Sequence, residues 1–126
     1  LIEGIERYDD LILGPNGMVF GTANGGLFFV FDPDSRSIVD KHDLREKFGP
    51  TVYQQGPRVF VPTPDGRIFM LFGQGIVQLD PETYETTMVA EAPESLGNGG
   101  AYLDGRLYFC GSHGAHLWSW EVPPSG

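Results

Sequence analysis

Histidine is the side chain best suited to proton transfer near neutral pH, and the chain has three. Two stand together in His113-Gly114-Ala115-His116, and the third, His42, is remote in sequence. Residues i and i+3 of an extended chain point to opposite faces, so His113 and His116 share an ion only if the backbone bends at Gly114. His42 would bring a second ligand to His113 at best, and a catalytic metal needs about three protein ligands and an open position. No metal site and no cofactor is therefore expected. No catalytic residue is assigned, and His113 and His42 remain as acid–base candidates for an enzymatic alternative.

A second group is built of amides beside glycines. Asn24, Gln74, Gln54, Gln55 and Asn98 carry donors and acceptors suited to a small polar ligand. The same residue types also satisfy tight turns, which is the commoner reason to find them there. Trp118 and Trp120 share a strand face with His116 and could offer a stacking platform to a sugar, although large rings in a core strand more often pack against neighbours. Asp32, Asp34, Asp80 and Glu82 flank prolines at turns, where aspartate is ordinary turn chemistry. Asp9-Asp10 reads as a strand entry rather than an acid–base pair. There is no Gly-x-Ser-x-Gly, phosphate loop or Cys/His cluster.

Composition narrows the classes further. Eight Lys and Arg oppose 17 Asp and Glu, a net charge of −9 that repels phosphate backbones and anionic membranes, so neither nucleic acid nor membrane is expected as a partner. No run reaches the ~20 apolar residues that span a bilayer, and the first residues show no signal-peptide pattern. Cys110 is the only cysteine and sits in the apolar run Leu107-Tyr108-Phe109-Cys110, where a small buried thiol is expected. The 126 residues suffice for one domain.

The elements that must position these groups are short. Apolar runs of about five residues, rich in Val, Ile, Phe and Tyr and bounded by Gly and Pro, predict strands rather than helices. Their order repeats three times. The first copy runs Tyr8–Leu13, Met18–Thr22, Leu27–Phe31 and Ile38–Lys41. The second runs Val59–Thr63, Arg67–Phe72, Ile76–Asp80 and Thr86–Glu91. The third runs Gly100–Leu103, Arg106–Gly111 and Ala115–Val122. Pro15-Asn16-Gly17 predicts a hairpin in which both Asn16 and Gly17 take positive φ. Asp43–Phe48 suggests one helical turn capped by Asp43 and stopped at Gly49-Pro50, inside a long connection over residues 42–57. Ile68-Phe69-Met70-Leu71-Phe72 is apolar at consecutive positions, so both its faces must be covered.

A four-stranded sheet packed on both faces by copies of itself, with a more polar outer strand, resembles a β-propeller blade. Phe31-Asp32-Pro33-Asp34-Ser35 and Leu79-Asp80-Pro81-Glu82-Thr83 look like the turn between third and fourth strands in many bacterial propellers, of the pyrroloquinoline-quinone, NHL and kelch-like group. Asp65-Gly66-Arg67-Ile68-Phe69 and Asp104-Gly105-Arg106-Leu107-Tyr108 look like the turn between first and second strands. The Trp-Asp ending and the kelch signature are absent, so no subfamily function carries over.

The resemblance implies an all-β propeller segment: blade one over 9–41, blade two over 58–92, and blade three over 93–126 without its outer strand. Residues 1–8, extended over Leu1–Glu6, would supply the outer strand of a last blade and so hide a sheet edge. Three blades are too few to close a ring of ~4–8, so a homodimer forming one six-bladed ring is expected, or further blades on another chain. Turns between second and third strands and links between blades would share one rim, gathering Asn24, Gln74 and His113 with His42, Gln54, Gln55, Ser95 and Asn98. The expected function is binding of a small polar ligand, such as a carbohydrate, at that rim. A propeller-type carbohydrate lyase or hydrolase and a protein-interaction scaffold are the alternatives.

Overall fold

A computed structural model describes residues 3–49, 60–72, 75–92, 96–111 and 116–124. Among the described residues, eleven strands and one short helix follow one another as β1 (Tyr8–Leu13), β2 (Val19–Ala23), β3 (Leu27–Asp32), β4 (Ser37–Asp43), α1 (Leu44–Phe48), β5 (Phe60–Pro62), β6 (Ile68–Phe72), β7 (Gly75–Leu79), β8 (Thr86–Glu91), β9 (Leu96–Leu103), β10 (Arg106–Gly111) and β11 (Leu117–Glu121). They form three antiparallel sheets, β1-β2-β3-β4, β5-β6-β7-β8 and β9-β10-β11, in which every strand pairs with its neighbour in sequence. β9 begins at Leu96, earlier than the sequence predicts, so Asn98 lies within a strand.

The hairpins follow their local chemistry. Gly17 N–H donates to Gly14 O and Gly14 N–H to Met18 O, and Gly66 and Thr63 repeat the pattern with Thr63 and Arg67. Proline occupies the first central position of both turns, so only the glycine after Asn16 or Asp65 takes positive φ, at 85° and 89°. This corrects the expectation that Asn16 itself would do so. The third copy lacks that proline, and there Asp104 and Gly105 both take positive φ.

Alternation along β6 governs the packing. Ile68, Met70 and Phe72 face the first sheet, where they join Phe20, Phe28, Val30 and Leu44 in one buried cluster with Val77 and Leu79 of β7. Phe69 and Leu71 face the third sheet and join Val61, Ile76, Leu107, Phe109 and Val122 in a second cluster. Trp118 and Trp120 pack on that second cluster, Trp120 edge-on to Phe69 at 5.6 Å between ring centroids. The inner strands β1, β5 and β9 approach one another, and Asp10 Oδ2 on β1 accepts a 3.1 Å hydrogen bond from Phe60 N–H on β5. A second set of ties runs along one rim. Asn16 Nδ2 of the first hairpin donates to Pro81 O of the second sheet at 3.0 Å, and Arg67 Nη1 of the second hairpin donates to Pro123 O beyond β11 at 2.8 Å.

Among the described residues, the outward faces of the two end sheets have no such cover. Tyr8, Leu11 and Leu13 are exposed on the first, and Leu103 and Leu117 on the third. Cys110, expected to be buried, is exposed beside Leu117 because its side of β10 faces away from the second sheet. Glu3–Arg7 form a turn and irregular chain, and within this chain they complete no sheet.

Replacing Phe69 or Met70, both fully buried but on opposite faces of β6, with alanine is expected to cost about 2–5 kcal/mol each in denaturant unfolding. Thr22 Oγ1 is buried without a hydrogen-bond partner among the described residues. The nearly isosteric Thr22→Val should raise stability by about 1 kcal/mol, because it removes an unpaired buried hydroxyl.

Candidate functional site

The turn Asn24-Gly25-Gly26 between β2 and β3 ties three segments together. Asn24 Oδ1 accepts from Glu6 N–H at 2.9 Å and Arg7 N–H at 3.1 Å, and Asn24 Nδ2 donates to Gly4 O at 2.9 Å. These bonds hold Glu3–Arg7 in a non-strand path. Asp9 accepts from Gly25 N–H at 2.7 Å and from Arg7 Nε at 2.6 Å. Asn24 thus spends its side chain on the fold, and its polar atoms point at backbone rather than at an open mouth. Gln74, His113 and Gln55 lie outside the described residues, as do Gln54 and Ser95, and only the backbone of Asn98 is described. Of the rim set, therefore, only Asn24 and His42 have described side chains.

The structure places His42 in a cleft. β4 runs through Asp40 and His42 to Asp43, whose side chain caps α1 by accepting from Arg45 N–H at 2.9 Å. Arg45 closes on the same carboxylate through Nε and Nη2, both at 2.9 Å, and its Nη1 donates to Asn24 O at 3.0 Å. Leu44 N–H donates to Gly26 O, and the Leu44 side chain is fully buried. The helix then leaves the first sheet for the second. Phe48 meets Phe72 edge-on at 6.4 Å, and Lys47 Nζ donates to the backbone oxygen of Thr86.

Opposite lies the turn before β8. Asp80 Oδ1 accepts from Glu82 N–H and Thr83 N–H, and Tyr84 N–H donates to Asp80 O. Tyr84 takes φ +66°, an unusual conformation for an aromatic residue. Its ring stands edge-on to Phe20, 6.0 Å away, which anchors the turn on the first sheet. Between β4, α1 and this turn opens a cleft of about 480 Å³, lined by Asp40, His42, Glu46, Lys47, Tyr84 and Glu85 among others. That volume falls within the ~300–1,000 Å³ of small-molecule sites.

The cleft lies between outer strands, on the side of the sheets away from β1, β5 and β9. The His42 ring packs against Phe28, with 5.1 Å between centroids, and its Nδ1 lies 3.6 Å from Asp40 Oδ2. Asp40, Asp43, Glu46 and Glu85 outnumber Lys47, and Arg45 neutralises Asp43 from outside the lining, so the wall is net acidic. Among the described residues, no three His, Cys, Asp or Glu converge as metal ligands. Sequence reasoning missed Lys47, Tyr84 and Glu85, because only a contact across 39 residues puts Lys47 and Thr86 together.

Hydrogen bonding to Arg45 holds the Asp43 carboxyl below the ordinary carboxylate range, against a smaller opposing effect of burial. A depressed folded pKa adds stability above the unfolded value, about pH 4, and that stability is lost as pH falls through the folded pKa. Thermal unfolding from pH 5 to 2 should therefore show a steeper decline in Tm for the parent chain than for Asp43→Asn, which keeps a capping side chain but has no charge to lose.

No known family's sequence profile matches the chain, and no curated protein matches it in sequence. Solved structures do match. The WD40 repeats of RRP9 superpose with a TM-score of 0.68 at 13% identity, over 97% of this chain and 37% of that one. The extracellular domain of the one-component system BT4673 from B. thetaiotaomicron gives 0.69 at 14%, over 95% of this chain and 16% of that one. A catalytically inactive histidine-to-alanine variant of virginiamycin B lyase from Staphylococcus aureus, solved with quinupristin, gives 0.57 at 13%, over 94% and 42%. The chain spans less than half the length of each. At these identities the likeness concerns the fold alone, and together with the three antiparallel sheets it establishes that the chain is built of β-propeller blades.

Proposed function

We propose that this chain is a binding module, a three-blade arc whose first two blades hold a small polar ligand between their outer strands. The observation that carries this reading is the cleft formed by β4, α1 and the turn at Thr83–Thr86. Carboxylates at Asp40, Glu46 and Glu85 can accept hydrogen bonds from hydroxyl or amino groups, and Lys47 can donate. His42 offers both, on a ring steadied by Phe28. Polyhydroxylated molecules suit such a lining, and its acidity favours those that carry an amino group, so a carbohydrate or amino sugar is the proposed class. Fixed walls support the reading too, since the Asp43 cap and the buried Leu44 leave α1 little freedom.

The arc is further read as part of a closed ring, completed by a second copy or by further blades, since three blades fall short of the ~4–8 that close. The carbohydrate lyase or hydrolase alternative would use His42 with Asp40, 3.6 Å apart, as its acid–base pair. The scaffold alternative draws support from the exposed apolar side chains of the end blades.

Calorimetric titration with a panel of neutral and amino sugars tests the main reading. At least one sugar should bind, and His42→Ala should weaken it tenfold or more, a loss of about 1.4 kcal/mol. Binding that survives both His42→Ala and Glu46→Ala would exclude the cleft, and silence across the panel would refute the proposed ligand class. Turnover lost in His42→Ala would favour the enzymatic alternative.

A further inference from the structure

Every asparagine of the chain precedes a glycine, as Asn16-Gly17, Asn24-Gly25 and Asn98-Gly99, and the first two have described side chains. In such a pair the glycine nitrogen can attack the asparagine carboxamide, because no Cβ obstructs its approach. The two described pairs are held very differently. Asn24 Oδ1 accepts two backbone N–H bonds and its Nδ2 donates a third. The nitrogen that would attack it belongs to the buried Gly25 and donates to Asp9 Oδ2 at 2.7 Å. That bond is short and charge-assisted, and the carboxylate opposes loss of the nitrogen's proton. Asn16 and Gly17 are both exposed. Gly17 N–H makes a 3.2 Å turn bond to Gly14 O, and Asn16 Oδ1 accepts from Met18 N–H at 3.3 Å, both at the long end of the usual range. A Cβ built on Gly17 would meet nothing within 4 Å, so the tip of this hairpin is open to water.

We propose that Asn16 is a modification site, at which spontaneous rearrangement unties the second blade from the first. Gly17 N, its proton taken by hydroxide, bonds to Asn16 Cγ. The Cγ–Nδ2 bond breaks and ammonia leaves, closing a succinimide ring. Water then opens the ring at either carbonyl. Opening at Cγ leaves aspartate; opening at the main-chain carbonyl carbon leaves isoaspartate, in which the chain runs through Cγ. The balance is asparagine and water to a carboxylic acid and ammonia, with no change of oxidation state.

Either product removes a tie between blades. Asn16 Nδ2 donates to Pro81 O at 3.0 Å across the joint of the first and second sheets. After conversion a carboxylate oxygen faces that carbonyl oxygen, and neither has a proton to give. Pro81 lies on the turn that continues through Thr83, Tyr84, Glu85 and Thr86 as one wall of the cleft. The Tyr84 ring stays against Phe20 and Lys47 stays on Thr86, so the wall loosens without the sheets separating. Weaker binding in the cleft follows, and this last step alone rests on the function proposed above.

Peptide mapping of the full chain aged at mildly alkaline pH tests the chemistry. Aspartate and isoaspartate are expected at position 16, at a rate that rises with pH. Asn24 should convert at least about tenfold more slowly, since a charge-assisted bond must break first. Equal rates at the two positions, or an Asn16 that persists, overturns the proposal. Asn16→Gln, whose longer side chain closes a larger and slower ring, should keep its amide; conversion as fast as the parent's overturns the succinimide route. Asn16→Asp installs the product and tests the untying. Hydrogen exchange at the Glu82 and Tyr84 amides should quicken several-fold in that variant, and unchanged exchange overturns the release of the turn. Sugar affinity should fall several-fold as well. An Asn16→Asp chain that binds sugar as tightly as the parent overturns the effect on the cleft and leaves the sugar reading standing. A parent chain that binds no sugar sinks that reading, while mapping and exchange still decide the modification site.

Discussion

A strand with no polar side chain is the constraint on which the structure depends. Ile68-Phe69-Met70-Leu71-Phe72 is buried along its whole length. One apolar cover would hide only alternate residues, so β6 requires a sheet on either side. The first sheet covers Ile68, Met70 and Phe72, and the third covers Phe69 and Leu71. The middle sheet thereby organises the other two, and the same requirement passes to them in weaker form. Gly21 thins the outward side of β2, where Phe29 and Leu11 close over the gap, yet Leu11 and Leu13 still face outward.

Polar contacts set the angles that apolar burial leaves loose. Asp10 joins the inner strands of two sheets, while Asn16 and Arg67 join one rim to the next. On the first sheet, Asn24, Asp9, Arg45 and Asp43 form a connected set that fixes both the entry to β1 and the start of α1. Apart from the buried Asp9 carboxylate, these groups are half-buried or exposed, so each contributes less as an isolated pair than as a geometric restraint on its neighbours. The cleft is a by-product of that restraint: α1 leaves the first sheet at a fixed angle, bridges to Thr86, and leaves open the space beneath it.

Features written over a few residues were legible in the sequence. The repeat, the strand lengths, the Asp-Pro turns and the Asp43 cap all rest on neighbours in the chain, and each appears in the structure. The hairpin at Asn16 was misjudged only in its φ values, because Pro15 takes the first central position and leaves the left-handed residue to Gly17. Site residues fared differently. Asn24 has the right chemistry for a ligand contact, but its partners Gly4, Glu6 and Arg7 lie 17 to 20 residues away. Tyr84 and Lys47 give no local sign that they border a cleft, since it exists only once two sheets have docked. The exposed Cys110 was misread for a related reason: an apolar run shows that a strand is apolar, not which of its sides finds a neighbour.

Every hydrogen-bonded strand pair among the described residues joins segments adjacent in sequence, and that has a kinetic consequence. Each sheet is assembled from short loops, with the small closure entropy that short loops carry, and can form before its neighbours do. Docking comes afterwards as a separate event that couples the modules through side chains alone. An arc so built behaves as a short linear array, in which a lesion in one terminal module leaves its far counterpart nearly untouched while one at the centre uncouples both.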